Sequence, residues 1–205
     1  MRTFTTLHAV AVPLDRANVD TDQILPARFL KKPRSAGFGG FLFHDERRRG
    51  VDFPLDQPVF RGAAILVADR NFGCGSSREG AVYGLLDGGI RCVIAPSFGD
   101  IFAANAAKNG LLTITLSEAE VGKLRDRLRA APGVTLLVDL PAETITDPDG
   151  RTIHFKIEAF RKRCLIEGLD DIDLTLECID TIAAFDARAA REQPWRLPAP
   201  EPRED

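Results

Sequence analysis

Several familiar signatures are missing from this sequence, and each absence removes a class of function. No two of its four cysteines, Cys74, Cys92, Cys164 and Cys178, stand in a C-x-x-C spacing. Zinc and iron–sulfur sites held by one chain show closer ligand spacing than this. The chain is therefore expected to bind no metal or other cofactor unaided. Its three histidines, His8, His44 and His154, are equally scattered and match no ligand pattern. Basic residues are not in excess: 27 Lys and Arg against 30 Asp and Glu give a net charge of -3. That balance offers no general attraction to nucleic acid or to an anionic membrane surface. No apolar run reaches the length of a membrane span. The opening "MRTFTTLHAV" also lacks the apolar core of a signal peptide, so a cytoplasmic location is expected, where disulfides are rare.

What remains is the composition of a folded domain. The 205 residues are 44% apolar and 28% charged, enough to bury a sizeable core. "HAVAVPL" (residues 8–14) reads as a strand closed by proline. The following "RANVDTDQILPARFL" is polar and turn-like, and "KKPRSAGFGGFLFHDERRRG" has no period. The region from Pro13 to Gly50 is read as one long functional loop, held by Phe38, Phe41 and Phe43, since solvated linkers rarely carry so many aromatics. From residue 61 the rhythm changes. "AAILVA", "IRCVIAP", "LLTITL" and "VTLLVDL" are strand-like, and the first two look buried on both faces. Helical patterns separate them, one running through Leu85 and Leu86 to Gly88-Gly89, another through "SFGDIFAANAAKNG". Ser117 and Glu120 have capping-box spacing and should open a third. "DPDG" (147–150) is a hairpin turn, and "EAFRKRCLIEG" and "LTLECIDTIAAFDARAARE" read as two closing helices. Alternating strands and helices predict an α/β fold with a mainly parallel sheet flanked by helices. We read one domain over residues 1–192 and a disordered proline-rich tail over 193–205.

The stretch that suggests chemistry is "NFGCGSSREGAVYGL" (71–85), lying between a buried strand and a helix. A glycine-rich loop at that junction aims backbone N–H groups and the positive helix end at one point, which suits an anion. Small residues let a ligand approach the backbone. Ser76 and Ser77 add hydroxyls, and Arg78 adds a guanidinium that can grip a carboxylate in two places. Other loop types fail on detail. No lysine completes a P-loop, Arg78 replaces the third glycine of G-x-G-x-x-G, and neither serine sits in G-x-S-x-G. Cys74 has no nearby histidine to mark it as a nucleophile. The bland alternative is a tight turn whose serines only cap the helix.

Four segments together carry a family resemblance: "NVDTDQILPARFL" (18–30), "GFGGFLF", "NFGCGSSRE" and "VIAPSFGDIFAANAAKNGLL". In this order, and with "GLDDIDLTL" near the end, the chain resembles the small subunits of bacterial isopropylmalate dehydratases over residues 4–188. These are aconitase-type swivelling β/β/α domains encoded as separate chains. The resemblance implies the small subunit of a hydro-lyase that interconverts 2- and 3-isopropylmalate via isopropylmaleate in leucine biosynthesis. It implies that Ser76 is the catalytic base and that Ser77 and Arg78 bind a substrate carboxylate. Arg34 is a further carboxylate-binding candidate, although "PRSAGFG" carries an extra residue there. Leu30 lies in the stretch 28–50, which the family uses as a substrate-specificity loop. Asp20, Thr21 and Asp22 match a turn beside the site, with Gly73, Cys74, Gly75 and Glu79 as supporting positions. The family carries its 4Fe–4S cluster on a large subunit, so a large-subunit partner in a heterodimer or heterotetramer is implied. A small hydroxy-diacid is the implied substrate.

One position departs from the pattern. The family continues Ser-Ser-Arg-Glu with histidine, and here Gly80 stands instead. Helical spacing from Ser76 would put position 80 one turn on, on the same face. Two other readings therefore stay open: a paralogue for another hydroxy-diacid such as dimethylmalate or citramalate, and a non-catalytic carboxylate-binding module. His44 lies within the specificity loop, and "DERRRG" (45–50) reads as a solvated charged turn.

Overall fold

The computed structural model describes residues 1–49, 52–76 and 78–196. The chain divides into two units, Met1–Gly168 and a second beginning at Leu169. In the first unit β1 (Thr6–Leu14) leads into a short helix α1 (Thr21–Ile24). The supposedly irregular stretch that follows is organised as 3₁₀ turns at Ala27–Lys31, Arg34–Ala36 and Gly39–Phe41, then helix α2 (His44–Arg48). Next come β2 (Ile65–Ala68), α3 (Glu79–Asp87), β3 (Cys92–Ala95), α4 (Asp100–Lys108), β4 (Leu112–Thr115) and α5 (Glu118–Ala130). The unit closes with β5 (Thr135–Asp139), the hairpin β6 (Thr144–Thr146) and β7 (Thr152–His154), and α6 (Ala159–Glu167).

The strands form one sheet in the order β4-β3-β2-β1-β5-β6-β7. Pairings from β4 to β1 are parallel, and those from β1 to β7 are antiparallel. β1 joins the two halves. Its first part, Thr6–Val10, pairs antiparallel with β5, and its last part, Ala11–Leu14, pairs parallel with β2. Every residue of β2 and β3 is buried, as their unbroken apolar runs require.

Strand alternation sends neighbouring residues to opposite cores. Val12, Leu66 and Val93 pack with Ile24, Leu85 and Phe102 on one face. Ala11, Ile65, Cys92 and Ile94 pack with Val121, Leu124, Leu128 and Leu165 on the other. The predicted capping box is formed: the Ser117 hydroxyl accepts from Glu120 N at 3.2 Å, and Ser117 N donates back to the Glu120 carboxylate at 3.1 Å. α3 stops at Gly88, as its sequence suggests.

In the second unit the stretch read as one final helix is two, α7 (Asp171–Leu176) and α8 (Ile179–Glu192). The break follows from a tightened last turn, in which Cys178 N donates to Thr175 O at 3.0 Å. No proline or glycine marks it in the sequence. Of the proline-rich tail, Pro194–Arg196 form a 3₁₀ turn, and residues 197–205 lie outside the described residues. Among the described residues, no helix is long and apolar enough to cross a membrane.

Candidate active site

The carboxyl ends of β1, β2 and β3 carry the candidate residues, the position where parallel α/β sheets commonly hold ligands. Beyond the strands the chain segments keep running side by side. Asp20 pairs with Cys74, and Phe72 with Phe98, as isolated parallel bridges. Gly73 N donates to Val19 O at 2.7 Å, and Thr21 N to Cys74 O at 3.0 Å. The buried Thr21 hydroxyl donates to Ser76 O at 2.8 Å. Asn71 and Asn18, both in left-handed backbone conformations, are joined by Asn71 Nδ2 donating to Asn18 Oδ1 at 2.9 Å. Asparagine is among the few non-glycine residues that accept such a conformation readily.

Gly73 is required twice over. Its φ is +73°, and a Cβ there would stand 2.6 Å from Phe102 Cδ1. The loop is thereby pressed onto α4 with no side chain between them. Asp20 caps α1, accepting from Asp22 N at 2.8 Å and Gln23 N at 2.7 Å, while Gln23 Oε1 accepts from Asp20 N at 2.9 Å. This reciprocal cap fixes the D-T-D turn without help from a ligand. Asp22 in turn accepts from Ala27 N at 2.7 Å and pairs with Arg78 Nη1. The other guanidinium N–H groups of Arg78 form no hydrogen bond among the described residues.

Ser76 is exposed and precedes α3. Arg78 is the N-cap, in an extended conformation and without a side-chain cap bond. Ser76 is thus not the helix cap that the bland reading made of the serines. The expectation that position 80 shares a helical face with Ser76 is also corrected: Ser76 lies outside the helix, and buried Gly80 faces Leu25 and Leu30. Ser77 lies outside the described residues. Burial, and then the charge of Asp20, push the Cys74 thiol above its ordinary value, which leaves it protonated at neutral pH and unsuited to nucleophilic attack.

A family model described as the aconitase C-terminal domain matches residues 1–119. A model described as LeuD_N matches 123–159, and one for the C-terminal domain of the 3-isopropylmalate dehydratase small subunit matches 171–199. Curated relatives named 3-isopropylmalate dehydratase small subunit include one from Dinoroseobacter shibae, 50% identical over 95% of this chain and 100% of its own. Another, from Jannaschia sp., is 51% identical with the same coverage, and one from Saccharophagus degradans is 46% identical over 98% of this chain and 100% of its own. The chain belongs to the 3-isopropylmalate dehydratase small-subunit family. A solved member, the crystal structure of 3-isopropylmalate dehydratase (leuD) from Methanocaldococcus jannaschii, superposes with a TM-score of 0.66 at 26% identity, covering 88% of this chain and 99% of that one.

In this member of the family, the stretch from residue 25 to 43 is seated on α3. Gly80, Gly84 and Gly88 lie one turn apart and receive Leu30 and Leu25, Leu25, and Leu42 respectively. Arg34 pairs with Asp87 at 3.2 Å, and its guanidinium lies 3.5 Å over the Tyr83 ring, so it is engaged along the later part of α3 rather than beside Ser76. Asp87 also accepts from Phe38 N at 2.9 Å. Glu79, in the first turn of α3, accepts from Asn109 Nδ2 at 2.7 Å. Burial and a hydrogen bond to Glu79 raise the Tyr83 phenol above its ordinary value. His44 is held by Arg28 and Asp45, with Phe29 edge-on to its ring.

Asn18, Asn71, Asn109, Tyr83 and Leu25 complete this setting, and no local pattern had marked them as site residues. Their partners lie in other elements, so only the fold reveals them. Among the described residues, no three His, Cys, Asp or Glu side chains group to hold a metal ion. Cys74 is half-buried, Cys92 and Cys164 are buried, and Cys178 is exposed.

Proposed function

We propose that this chain is the small subunit of a 3-isopropylmalate dehydratase, a hydro-lyase that interconverts 2- and 3-isopropylmalate through isopropylmaleate. The observation that carries this reading is family membership at about half identity over 95% of the chain. In the same chain, a glycine-rich loop presents Ser76 and Arg78 at the sheet's carboxyl edge.

Ser76 is the residue we assign as base. Its exposed hydroxyl can meet a substrate carbon, and its backbone is held from behind by Thr21. A serine becomes a base only where its alkoxide is stabilised, and the cationic Arg78 nearby serves that end. Ser76 takes the carbon-bound proton, the C–H electron pair becomes the alkene, and the neighbouring hydroxyl breaks away and leaves as water with a second proton drawn from solvent or from the large-subunit side of the site. Re-addition of water at the other carbon gives the isomer, with the proton returned by Ser76. Arg78 has N–H groups to spare beyond Asp22, which suits it to a substrate carboxylate, and Ser77 is assigned the same role. Leu30 is assigned to the substrate's alkyl arm. Asp20, Asp22, Gly73, Cys74, Gly75 and Glu79 support the loop, and Arg34 fastens the specificity segment to α3.

The reading includes a large-subunit partner, and the iron–sulfur cluster assigned to it would supply Lewis-acid chemistry for the departing hydroxyl. A cytoplasmic site of action belongs to the same reading. The test is an anaerobic assay with the cluster-loaded large subunit, following isopropylmaleate formed from 2-isopropylmalate. Turnover is expected with the complex and not with this chain alone. Ser76→Ala should lower kcat by about 10²-fold to 10⁴-fold while the complex still forms. An inert complex with an intact cluster would sink the substrate assignment.

A further inference from the structure

Beyond the loop that carries Ser76, the sheet ends in an open edge. β4 is the last strand of the order and pairs with β3. Leu112 N donates to Arg91 O at 3.0 Å and Leu116 N to Ala95 O at 3.3 Å, so alternate residues turn their main-chain groups towards β3. Thr113 and Thr115 turn theirs away, and among the described residues nothing pairs with them. Native sheets usually blunt or cover such an edge. Here both threonines line a cavity of about 320 Å³, walled by α4 on one side and by the stretch 156–165 on the other.

The lining of this cavity is of three kinds. Leu111 and Leu165, 0% and 2% exposed, give it an apolar floor. Lys156 and Arg161 bring positive charge and Asp100 negative charge, and none of these three side chains has a hydrogen bond or ion pair among the described residues. The free edge adds N–H donors and C=O acceptors. Glu158 is already committed, since its carboxylate accepts from Phe160 N at 2.9 Å and Arg161 N at 3.0 Å at the start of α6. A simple carboxylate would leave Asp100 and the edge carbonyls unmatched. An apolar amine would leave Lys156, Arg161 and the edge N–H groups unmatched. A zwitterion with an apolar tail satisfies all of them. We propose that this cavity binds a free α-amino acid with an apolar side chain. Arg161 and Lys156 hold its carboxylate, Asp100 and an edge carbonyl hold its ammonium, and its side chain lies on Leu111 and Leu165. The cavity also backs onto the glycine–serine loop. Ser97, in its wall, accepts from Asn71 N at 2.8 Å through its hydroxyl and from Phe72 N at 3.1 Å through its carbonyl. Such binding is independent of the reaction proposed above, and the start of the loop should register it.

The test is calorimetric titration of the full-length chain with L-leucine, with 4-methylpentanoate, which lacks the ammonium, and with 3-methylbutylamine, which lacks the carboxylate. L-Leucine should bind at least about 10-fold tighter than either, the weight of one charge-assisted hydrogen bond. Asp100→Asn should bring L-leucine down to the affinity of 4-methylpentanoate. Arg161→Gln should weaken both carboxylates about 10-fold and leave 3-methylbutylamine unchanged. Both positions are exposed, so the fold should survive either change. In amide NMR spectra of the same titration Ser97, Thr113 and Thr115 should shift, and Asn71 and Phe72 with them. No saturable binding of L-leucine, affinities indifferent to the two variants, or shifts confined to other parts of the chain overturn the inference. Equal affinity for 4-methylpentanoate overturns it in favour of a plain carboxylate site. Tighter binding of a short valine-rich peptide blocked at both ends overturns it in favour of strand addition at the free edge.

Discussion

Thr21 and Ser76 are joined by one hydrogen bond, the threonine hydroxyl donating to the serine carbonyl at 2.8 Å across 55 residues of sequence. Thr21 is 3% exposed and sits on a helix with its own reciprocal cap, so the donor is fixed. The acceptor belongs to a loop residue that precedes α3 and gains nothing from the helix ladder. The bond therefore sets where the Ser76 backbone stands.

Thr21→Val keeps the side-chain volume and removes that bond. Loss of stability should be modest, about 1 kcal/mol, the usual net worth of one hydrogen bond. If Ser76 is the base, as proposed above, the kinetic effect should exceed it: kcat should fall by about 10-fold or more while KM changes little, because a misplaced base costs rate before binding. Denaturant titration and steady-state kinetics of the assembled enzyme separate the two. Equal, small losses in both would show that Thr21 only stabilises the turn.

The two loop glycines should differ in their tolerance of a methyl group. Both have positive φ, +73° at Gly73 and +87° at Gly75. A Cβ on Gly73 meets the Phe102 ring, whereas one on Gly75 meets only Asp20 Cβ at 3.3 Å. Left-handed backbone costs about 1–2 kcal/mol for alanine, and overpacking a tight contact adds about 1–3 kcal/mol. Gly73→Ala should thus lose about 2–5 kcal/mol, and Gly75→Ala about 1–2 kcal/mol. Thermal melts of the two variants give the order directly, and a reversed order would refute the packing argument.

Cys74 offers a reading of the local field. Burial first, and then the negative Asp20, disfavour its thiolate. Alkylation at Cys74, followed by mass spectrometry over a pH series, should show a midpoint above that of an ordinary thiol. Asp20→Asn keeps an oxygen to cap α1 but removes the charge, so the midpoint should move down. It should not return to the ordinary value, because burial remains. An unchanged midpoint would mean that the Asp20 charge does not reach the thiol.

Local pattern carried the core well. The apolar runs of β2 and β3 are buried throughout, and the Ser117–Glu120 box and the DPDG hairpin stand where their residues place them. The glycine–serine loop was legible because strand, small residues and helix follow one another in sequence. What was not legible was tertiary. Asp20 looked like a residue beside the site, yet its carboxylate caps a four-residue helix too short to show a period. Arg34 sits near "GFG" in sequence, but its partners Asp87 and Tyr83 are about 50 residues away. Gly80 appeared as a missing histidine, and only its neighbour Leu30 shows what fills the space. The break between α7 and α8 depends on a backbone turn that many sequences could adopt.

The row Gly80, Gly84 and Gly88 fits the leucines of residues 25–42 closely enough to limit how such enzymes can be recombined. A chimaera that imports only the segment from residue 25 to 43 would bring new side chains to an old helix, and one that imports only α3 would do the reverse. Segment and helix form one exchangeable cassette, although about 35 residues, α2 and β2 among them, separate them in the chain. Engineering a new substrate preference into this scaffold should therefore vary both sides of that contact in one library, because substitutions that succeed together would each be discarded alone.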